Sequence, residues 1–89
     1  MEMIFENKVA IITNGNFGTV RSTAISYAQK GANVVIADCI EDSETLSIIK
    51  AANGKAIFIK CNISDSNDIK NMVDKTFETF GRIDYVMQG

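Results

Sequence analysis

Short apolar runs alternate along this chain with segments in which apolar residues recur every three or four positions. The four consecutive apolar residues from Val9 to Ile12 predict a buried strand over Lys8–Thr13, because a parallel strand covered on both faces has no polar side. Similar runs predict three further strands, over Asn33–Asp38, Lys55–Cys61 and Arg82–Met87. The pattern therefore predicts four strands with a helical segment between each pair.

Residues that commonly begin or end helices mark the limits of these three segments. We expect helices over Thr19–Lys30, from Asp42 or Ser43 to Gly54, and from Ser64 or Asp65 to Gly81. By helical spacing, the residues that should face the sheet are Val20, Ala24 and Ala28, then Leu46, Ile49 and Ala52, then Ile69, Met72, Val73, Phe77 and Phe80. The alternation predicts one α/β domain over residues 1–89, a parallel sheet of about four strands in the order 3-2-1-4 with three helices.

A glycine-containing turn stands between the first predicted strand and the first predicted helix. Gly15 and Gly18 lie in it, and the N–H groups at a helix start have no helical partner and carry partial positive charge, so they favour phosphate. Asp38 ends the second strand, twenty residues after Gly18, which is the spacing of a carboxylate that binds a ribose. Together the two features predict a dinucleotide site.

Composition excludes several other classes. The 89 residues carry a net charge of −2, so no basic surface for nucleic acid or an anionic membrane is expected. The apolar runs are too short to span a bilayer, and Met1–Lys8 does not resemble a signal peptide, which favours a cytoplasmic protein. The chain has no His and its two cysteines lack metal-site spacing, so no metal site is expected. Cys39 and Cys61 are expected to be small buried residues, with a redox pair as the alternative.

Five segments, in order, resemble the N-terminal half of the short-chain dehydrogenase/reductase family. The family's glycine motif T-G-x-x-x-G-x-G corresponds to T-N-G-N-F-G-T-V at residues 13–20. The other segments are N-K-V-A at 7–10, G-A-N-V-V at 31–35, C-N-I-S-D at 61–65 and F-G-R-I-D at 80–84. The resemblance implies a Rossmann-like fold, truncated relative to the full family fold, and an oxidoreductase that uses a nicotinamide dinucleotide.

The resemblance also implies which residues bind the cofactor. They are Asn14, Asn16, Phe17, Gly18, Thr19, Asp38, Asn62 and Ile63. Asn14 and Val20 replace motif glycines, and Asn62 replaces an Asp that contacts adenine. Asn tolerates a positive φ, Val20 is expected to push the helix outward, and the Asn62 amide oxygen can accept from the adenine amine. Asp38, with no Lys or Arg near it in the sequence, favours NAD over NADP.

The family's catalytic residues, a Ser and a Tyr-x-x-x-Lys pair, lie beyond the fourth strand. Tyr27 and Tyr85 are the two tyrosines of this chain, and neither is followed by Lys four residues later. The resemblance therefore implies that the chain holds no catalytic residue and does not catalyse the family's hydride transfer alone.

Three hypotheses for function follow. The leading one is the NAD(H)-binding part of a short-chain dehydrogenase-like oxidoreductase. The alternative is a degenerate, non-catalytic module that no longer binds cofactor and acts by self-association or by binding a partner. The third is an interrupted gene product with no selected activity.

The fourth strand raises a separate expectation. It would be a sheet edge bearing Ile83, Val86 and Met87, and an exposed apolar edge pairs readily with another chain. We therefore expect a homo-oligomer, most simply a two-fold dimer through this edge.

Overall fold

The computed structural model describes residues 4–13, 18–39 and 43–88, apart from the side chains of residues 18–20, 43 and 88. Strands and helices alternate through these ranges, as predicted. They are β1 (Val9–Thr13), α1 (Gly18–Gln29), β2 (Asn33–Asp38), α2 (Ser43–Ala51), β3 (Lys55–Lys60), α3 (Ser66–Phe80) and β4 (Tyr85–Gln88). Within the described residues, no helix is long and apolar enough to cross a membrane.

The four strands form one parallel sheet in the order β3-β2-β1-β4, which confirms the predicted order. Every residue of β1 is buried, and so is every residue of β2 after Asn33. Strands buried on both faces are the reason that these segments read as continuous apolar runs rather than as alternating ones.

Helices cover both faces of the sheet. On one face, Ala24 and Ala28 of α1 and Ile49 of α2 form a core cluster with strand residues that include Ile12 and Ile36. On the other face, Met72 of α3 joins a cluster that contains Val9, Ile11, Val35, Ala37, Ile59 and Cys61. Successive residues of β1 and β2 thus belong to opposite clusters, as the two-residue repeat of a strand requires.

A pair of hydrogen bonds and an ion pair join the start of β4 to the start of β1. The Val9 N–H donates to Asp84 Oδ2 at 2.8 Å, and the Asp84 N–H donates to the Val9 carbonyl at 2.9 Å. The Arg82 guanidinium donates two hydrogen bonds to the same carboxylate, with Nε at 2.9 Å from Oδ2 and an Nη atom at 2.7 Å from Oδ1. We call this group of Arg82, Asp84 and Val9 the Asp84 clasp. The strand was predicted to begin at Arg82, but β4 begins at Tyr85 because residues 82–84 form the clasp.

The end of α2 differs from the prediction. The helix ends at Ala51, the residue with positive φ is Asn53 at 64°, and Ala52 is exposed. Ala52 was predicted to face the sheet, but Thr45 of this helix is the residue that is buried.

Gly54 does not end the helix. It allows close packing, since a Cβ there would lie 2.7 Å from Ile49 Cγ2 and 3.2 Å from Ala28 Cβ.

The buried side of α3 is narrower than predicted. Met72 is buried, and Val73 and Phe80 pack against its cluster, but Ile69 and Phe77 are exposed, Phe77 by 51%. Thr76 is fully buried and its Oγ1 donates to the Met72 carbonyl at 2.8 Å. A hydroxyl that bonds within its own helix can be buried at little cost, so Thr76, one turn after Met72, faces the sheet while Phe77 points about 100° away. The predicted caps are confirmed, with Asp65 at the start and Gly81, at φ 79°, at the end.

The Asp84 clasp should make stability depend on pH. Hydrogen bonds from Arg82 and from the Val9 N–H hold the pKa of Asp84 below its usual range. The folded state therefore binds this proton less tightly than the unfolded state. The ionised Asp84 carboxylate therefore stabilises the fold fully at pH values above its pKa in the unfolded chain. This stabilisation is lost as the pH falls through its pKa in the folded chain.

We expect Asp84→Asn to lower the melting temperature at neutral pH, and the gap to the parent to close at acid pH, where both side chains are neutral. Thermal melts followed by circular dichroism at several pH values measure this. Asp74→Asn, an exposed carboxylate in the middle of α3, is the matched control and should show no such gap. If the difference in melting temperature between the parent and Asp84→Asn stays constant with pH, the ionised carboxylate of Asp84 is not what stabilises the clasp.

The close approach at Gly54 gives a second prediction. Gly54→Ala should destabilise the fold by about 1–3 kcal/mol, because the new methyl group overlaps the buried Ile49 side chain. Urea unfolding gives the free energy of unfolding. Gly81→Asn is the control, since nothing lies within 4 Å of a Cβ at that position and Asn tolerates positive φ. Equal losses for the two variants would show that packing at Gly54 is not the constraint.

Candidate functional site

The carboxyl ends of the four parallel strands meet at one edge of the sheet. Thr13, at the end of β1, pairs with Ala37 on one side and with Gln88 on the other. Asp38 follows Ala37 and pairs with Lys60 of β3. The chain leaves β1 at this edge and starts α1 at Gly18. In open α/β sheets, ligands bind outside these strand ends, where the strand order reverses, and here that point lies between β1 and β4.

Two of the predicted phosphate-binding residues, Gly18 and Thr19, lie at the start of α1. Asn14, Asn16 and Phe17 fall outside the described residues. Gly18 and Thr19 are the first two residues of α1, and the first turn of the helix contains no acidic residue. The N–H groups of this turn are those that an α-helix leaves without internal acceptors, so the helix start suits an anion.

Asp38 is the last residue of β2 and is only 2% exposed. Its carbonyl accepts from the Cys61 N–H at 2.9 Å, which extends the β2–β3 ladder by one bond, and it also takes part in further interactions within the chain. The structure thus places the predicted ribose-binding carboxylate at the strand edge, inside the fold surface rather than projecting from it.

Asn62 and Ile63 begin the turn between β3 and α3. The Ser64 N–H donates to Asn62 Oδ1 at 2.9 Å, and the Asn62 N–H donates to Asp68 Oδ2 at 3.0 Å. Asp65 then caps α3 by accepting from the N–H groups of Asn67 and Asp68. Each of these side-chain oxygens accepts from a backbone N–H, either in the turn itself or in the first turn of α3. The turn that carries Asn62 is therefore built by its own polar residues.

A small cleft opens at the same edge, on the α3 side of the sheet. It measures about 200 Å³ and is lined by Thr13, Ile63, Ile69, Met72 and Val86. Sequence reasoning placed Ile63 at the site but missed the other lining residues. The predicted strand order could have identified these residues, because it puts the ends of β1 and β4 side by side next to the first turns of α3.

The two cysteines behave differently from each other. Cys61 is buried, as predicted, but Cys39 is exposed, because it follows the last residue of β2 at the open end of the sheet. Burial raises the pKa of the Cys61 thiol, and the nearby charges of Asp68 and Asp65 raise it further. A thiol held in its protonated form is a poor nucleophile. Among the described residues, no group of His, Cys, Asp and Glu is arranged to hold a metal ion.

Neither tyrosine lies at the carboxyl edge. Tyr85 pairs with Ala10 near the start of β1, and Tyr27 lies in the last turn of α1. The two rings pack against Phe5 in tilted and edge-on arrangements, at centroid distances of 4.9 Å from Phe5 to Tyr27 and 5.6 Å from Phe5 to Tyr85. These tyrosines therefore serve packing at the opposite end of the sheet from the strand ends.

Comparison with known proteins gives the family. Residues 8–89 match the profile of the short chain dehydrogenase family. The chain belongs to this family. It is 43% identical over 79 residues to tropinone reductase-like 1 of Erythroxylum coca, an alignment that covers 89% of this chain and 29% of that protein. It is 38% identical over 87 residues to an uncharacterized oxidoreductase of Thermotoga maritima, covering 96% of this chain and 34% of the relative.

Solved structures of the family agree with the fold. A hydroxysteroid dehydrogenase from Escherichia coli superposes with a TM-score of 0.92 at 26% identity, over 97% of this chain and 37% of the other. A short-chain type dehydrogenase/reductase from Mycobacterium marinum gives a TM-score of 0.90 at 28% identity, over 94% of this chain and 35% of that one. The chain thus spans about a third of the length of the relatives it matches.

Proposed function

We propose that this chain is the NAD(H)-binding part of a short-chain dehydrogenase-like oxidoreductase. Family membership supports nicotinamide dinucleotide chemistry. One observation on the chain itself supports the site. The start of α1 and the carboxylate of Asp38 lie at the same edge of the sheet, on the adjacent strands β1 and β2. In this class of fold a dinucleotide is bound with its pyrophosphate at the start of the first helix and its ribose at the end of the next strand.

Charge at this edge favours NAD over NADP. The Asp38 carboxylate can accept hydrogen bonds from ribose hydroxyls, whereas it would repel a 2′-phosphate. Arg21 lies on the first helix turns, but its guanidinium is 3.4 Å from Glu44 at the start of α2, so its charge is partly offset. The pairing with Glu44 reduces the value of Arg21 as a partner for a phosphate.

The dinucleotide, when bound, would accept a hydride from an alcohol in its oxidised form and donate one to a carbonyl in its reduced form. The residues described above bind and orient it. We propose that the proton-transferring residues come from outside these 89 residues, since Tyr27 and Tyr85 pack at the far end of the sheet. The chain on its own is then a binding unit for the cofactor.

Calorimetric titration of the 89-residue chain with NAD and with NADP tests the proposal. We expect heat of binding with NAD and an affinity for NADP weaker by about tenfold, the cost of placing a phosphate beside a carboxylate. Asp38→Asn should narrow this difference, because the amide removes the repulsion. Asp74→Asn makes the same chemical change on the exposed side of α3 and should leave the difference unchanged. The absence of binding by either dinucleotide would favour a module that has lost its cofactor.

We also propose that the chain self-associates through β4. Val86 is 65% exposed, and β4 (Tyr85–Gln88) carries no charged residue. The opposite edge, β3, has an exposed Lys at each end, and charged residues at an edge discourage strand addition. A two-fold pairing of β4 with β4 buries the uncharged edge of both copies and closes on itself, whereas β4 against β3 would form open chains.

Val86→Lys tests this interface, because a charge placed on the exposed side of β4 should oppose pairing. We expect a dimer for the parent in sedimentation velocity and a monomer for the variant. Ile48→Lys, on the exposed face of α2, is the control and should remain dimeric. A parent chain that stays monomeric at high concentration would contradict the proposal.

A further inference from the structure

An ion pair joins the starts of α1 and α2 at the carboxyl edge of the sheet. Arg21 lies in the first turn of α1 and Glu44 in the first turn of α2, and the guanidinium Nη1 is 3.4 Å from Glu44 Oε1. The Arg21 side chain is 27% exposed and that of Glu44 is 64% exposed. The pair is therefore open to solvent at the same edge as the proposed dinucleotide site.

The end of β2 lies beside the junction of these two helices. Helix α1 packs on β1 and β2, and α2 packs on β3 and on α1. Ile36 of β2 belongs to the core cluster that the two helices cover, and Asp38, two residues later, is directed to the same face of the sheet. The ion pair thus spans the two helix starts on the face to which the carboxylate proposed for the ribose is directed.

A 2′-phosphate would be brought to this junction. In NADP the phosphate is attached to the ribose that Asp38 is proposed to bind, and an Arg nearby accommodates it in this class of fold, because a guanidinium can donate two parallel hydrogen bonds to phosphate oxygens. Arg21 has the side chain for that role. Glu44 offers the same guanidinium a competing carboxylate and offsets its charge at short range.

We propose that Glu44 is a positioning residue that withholds Arg21 from a 2′-phosphate, so that the preference for NAD depends on Glu44 as well as on Asp38. The two carboxylates act differently, since Asp38 repels the phosphate directly and Glu44 acts by occupying the Arg21 guanidinium. Arg21 and Glu44 also take part in further interactions within the chain, so the inference concerns the share of the Arg21 charge that Glu44 offsets. It rests on the proposed dinucleotide function.

Calorimetric titration with NAD and NADP at low ionic strength tests the inference on four 89-residue chains, the parent, Glu44→Gln, Arg21→Gln and the double variant. We expect Glu44→Gln to raise the affinity for NADP relative to NAD about fivefold, the upper end of what one exposed ion pair contributes. The double variant should show none of this gain, because the cation that receives the phosphate is absent. Added salt should reduce the gain by screening the attraction.

The ratio of the two affinities separates this role from a structural one. Glu44 also places a negative charge in the first turn of α2, which stabilises a helix start, and loss of that effect would weaken both dinucleotides alike. Glu78→Gln makes the same chemical change at an exposed position near the end of α3 and should leave the ratio unchanged. Circular dichroism melts verify that each variant folds.

Two results would overturn the inference and leave the dinucleotide site intact. One is an unchanged ratio in Glu44→Gln. The other is a gain that persists in the double variant, which would mean that Glu44 repels the phosphate directly or that Lys60, the partner of Asp38 in the β2–β3 ladder, receives it. A parent chain that binds neither dinucleotide would overturn the proposed function and this inference with it.

Discussion

Burial of the two central strands on both faces is the constraint on which this structure depends. No residue of β1 is exposed, and β2 is buried from Val34 onward. A strand of that kind needs a helix layer above and below it. The chain supplies the layers by crossing over the sheet three times, with α1 and α2 on one face and α3 on the other. Because each crossover returns the chain to the same end of the sheet, every strand is parallel.

That arrangement also creates the candidate site. Parallel strands end at a common edge, so residues far apart in the sequence lie along it. The start of α1, Asp38 and Asn62 are all at this edge for that reason. Reversal of the strand order between β1 and β4 leaves a crevice at that edge, and the cleft lined by Thr13, Ile63 and Val86 occupies it.

Local polar contacts then fix the start of β4 and the turn that follows β3. The two hydrogen bonds between Asp84 and Val9 join the start of β4 to the start of β1. The turn after β3 is ordered by Asn62, Asp65 and Asp68, each of which accepts from a backbone N–H. These bonds fix the path of the chain between the end of β3 and the start of α3.

The amino-acid sequence by itself determined the elements and their order, because hydrophobic periodicity and capping residues are local signals. The alternation of strands and helices then predicted the strand order of the sheet. The matched segments also indicated the family. Tertiary structure alone decided which members of each apolar set are buried, since that depends on what lies opposite. Phe77 is exposed and Thr76 buried because α3 meets the sheet along one narrow row, and Cys39 is exposed because it follows the end of β2. The pairing of Arg21 with Glu44 and the orientation of the Asn62 amide likewise depend on contacts between residues, which spacing along the chain does not reveal.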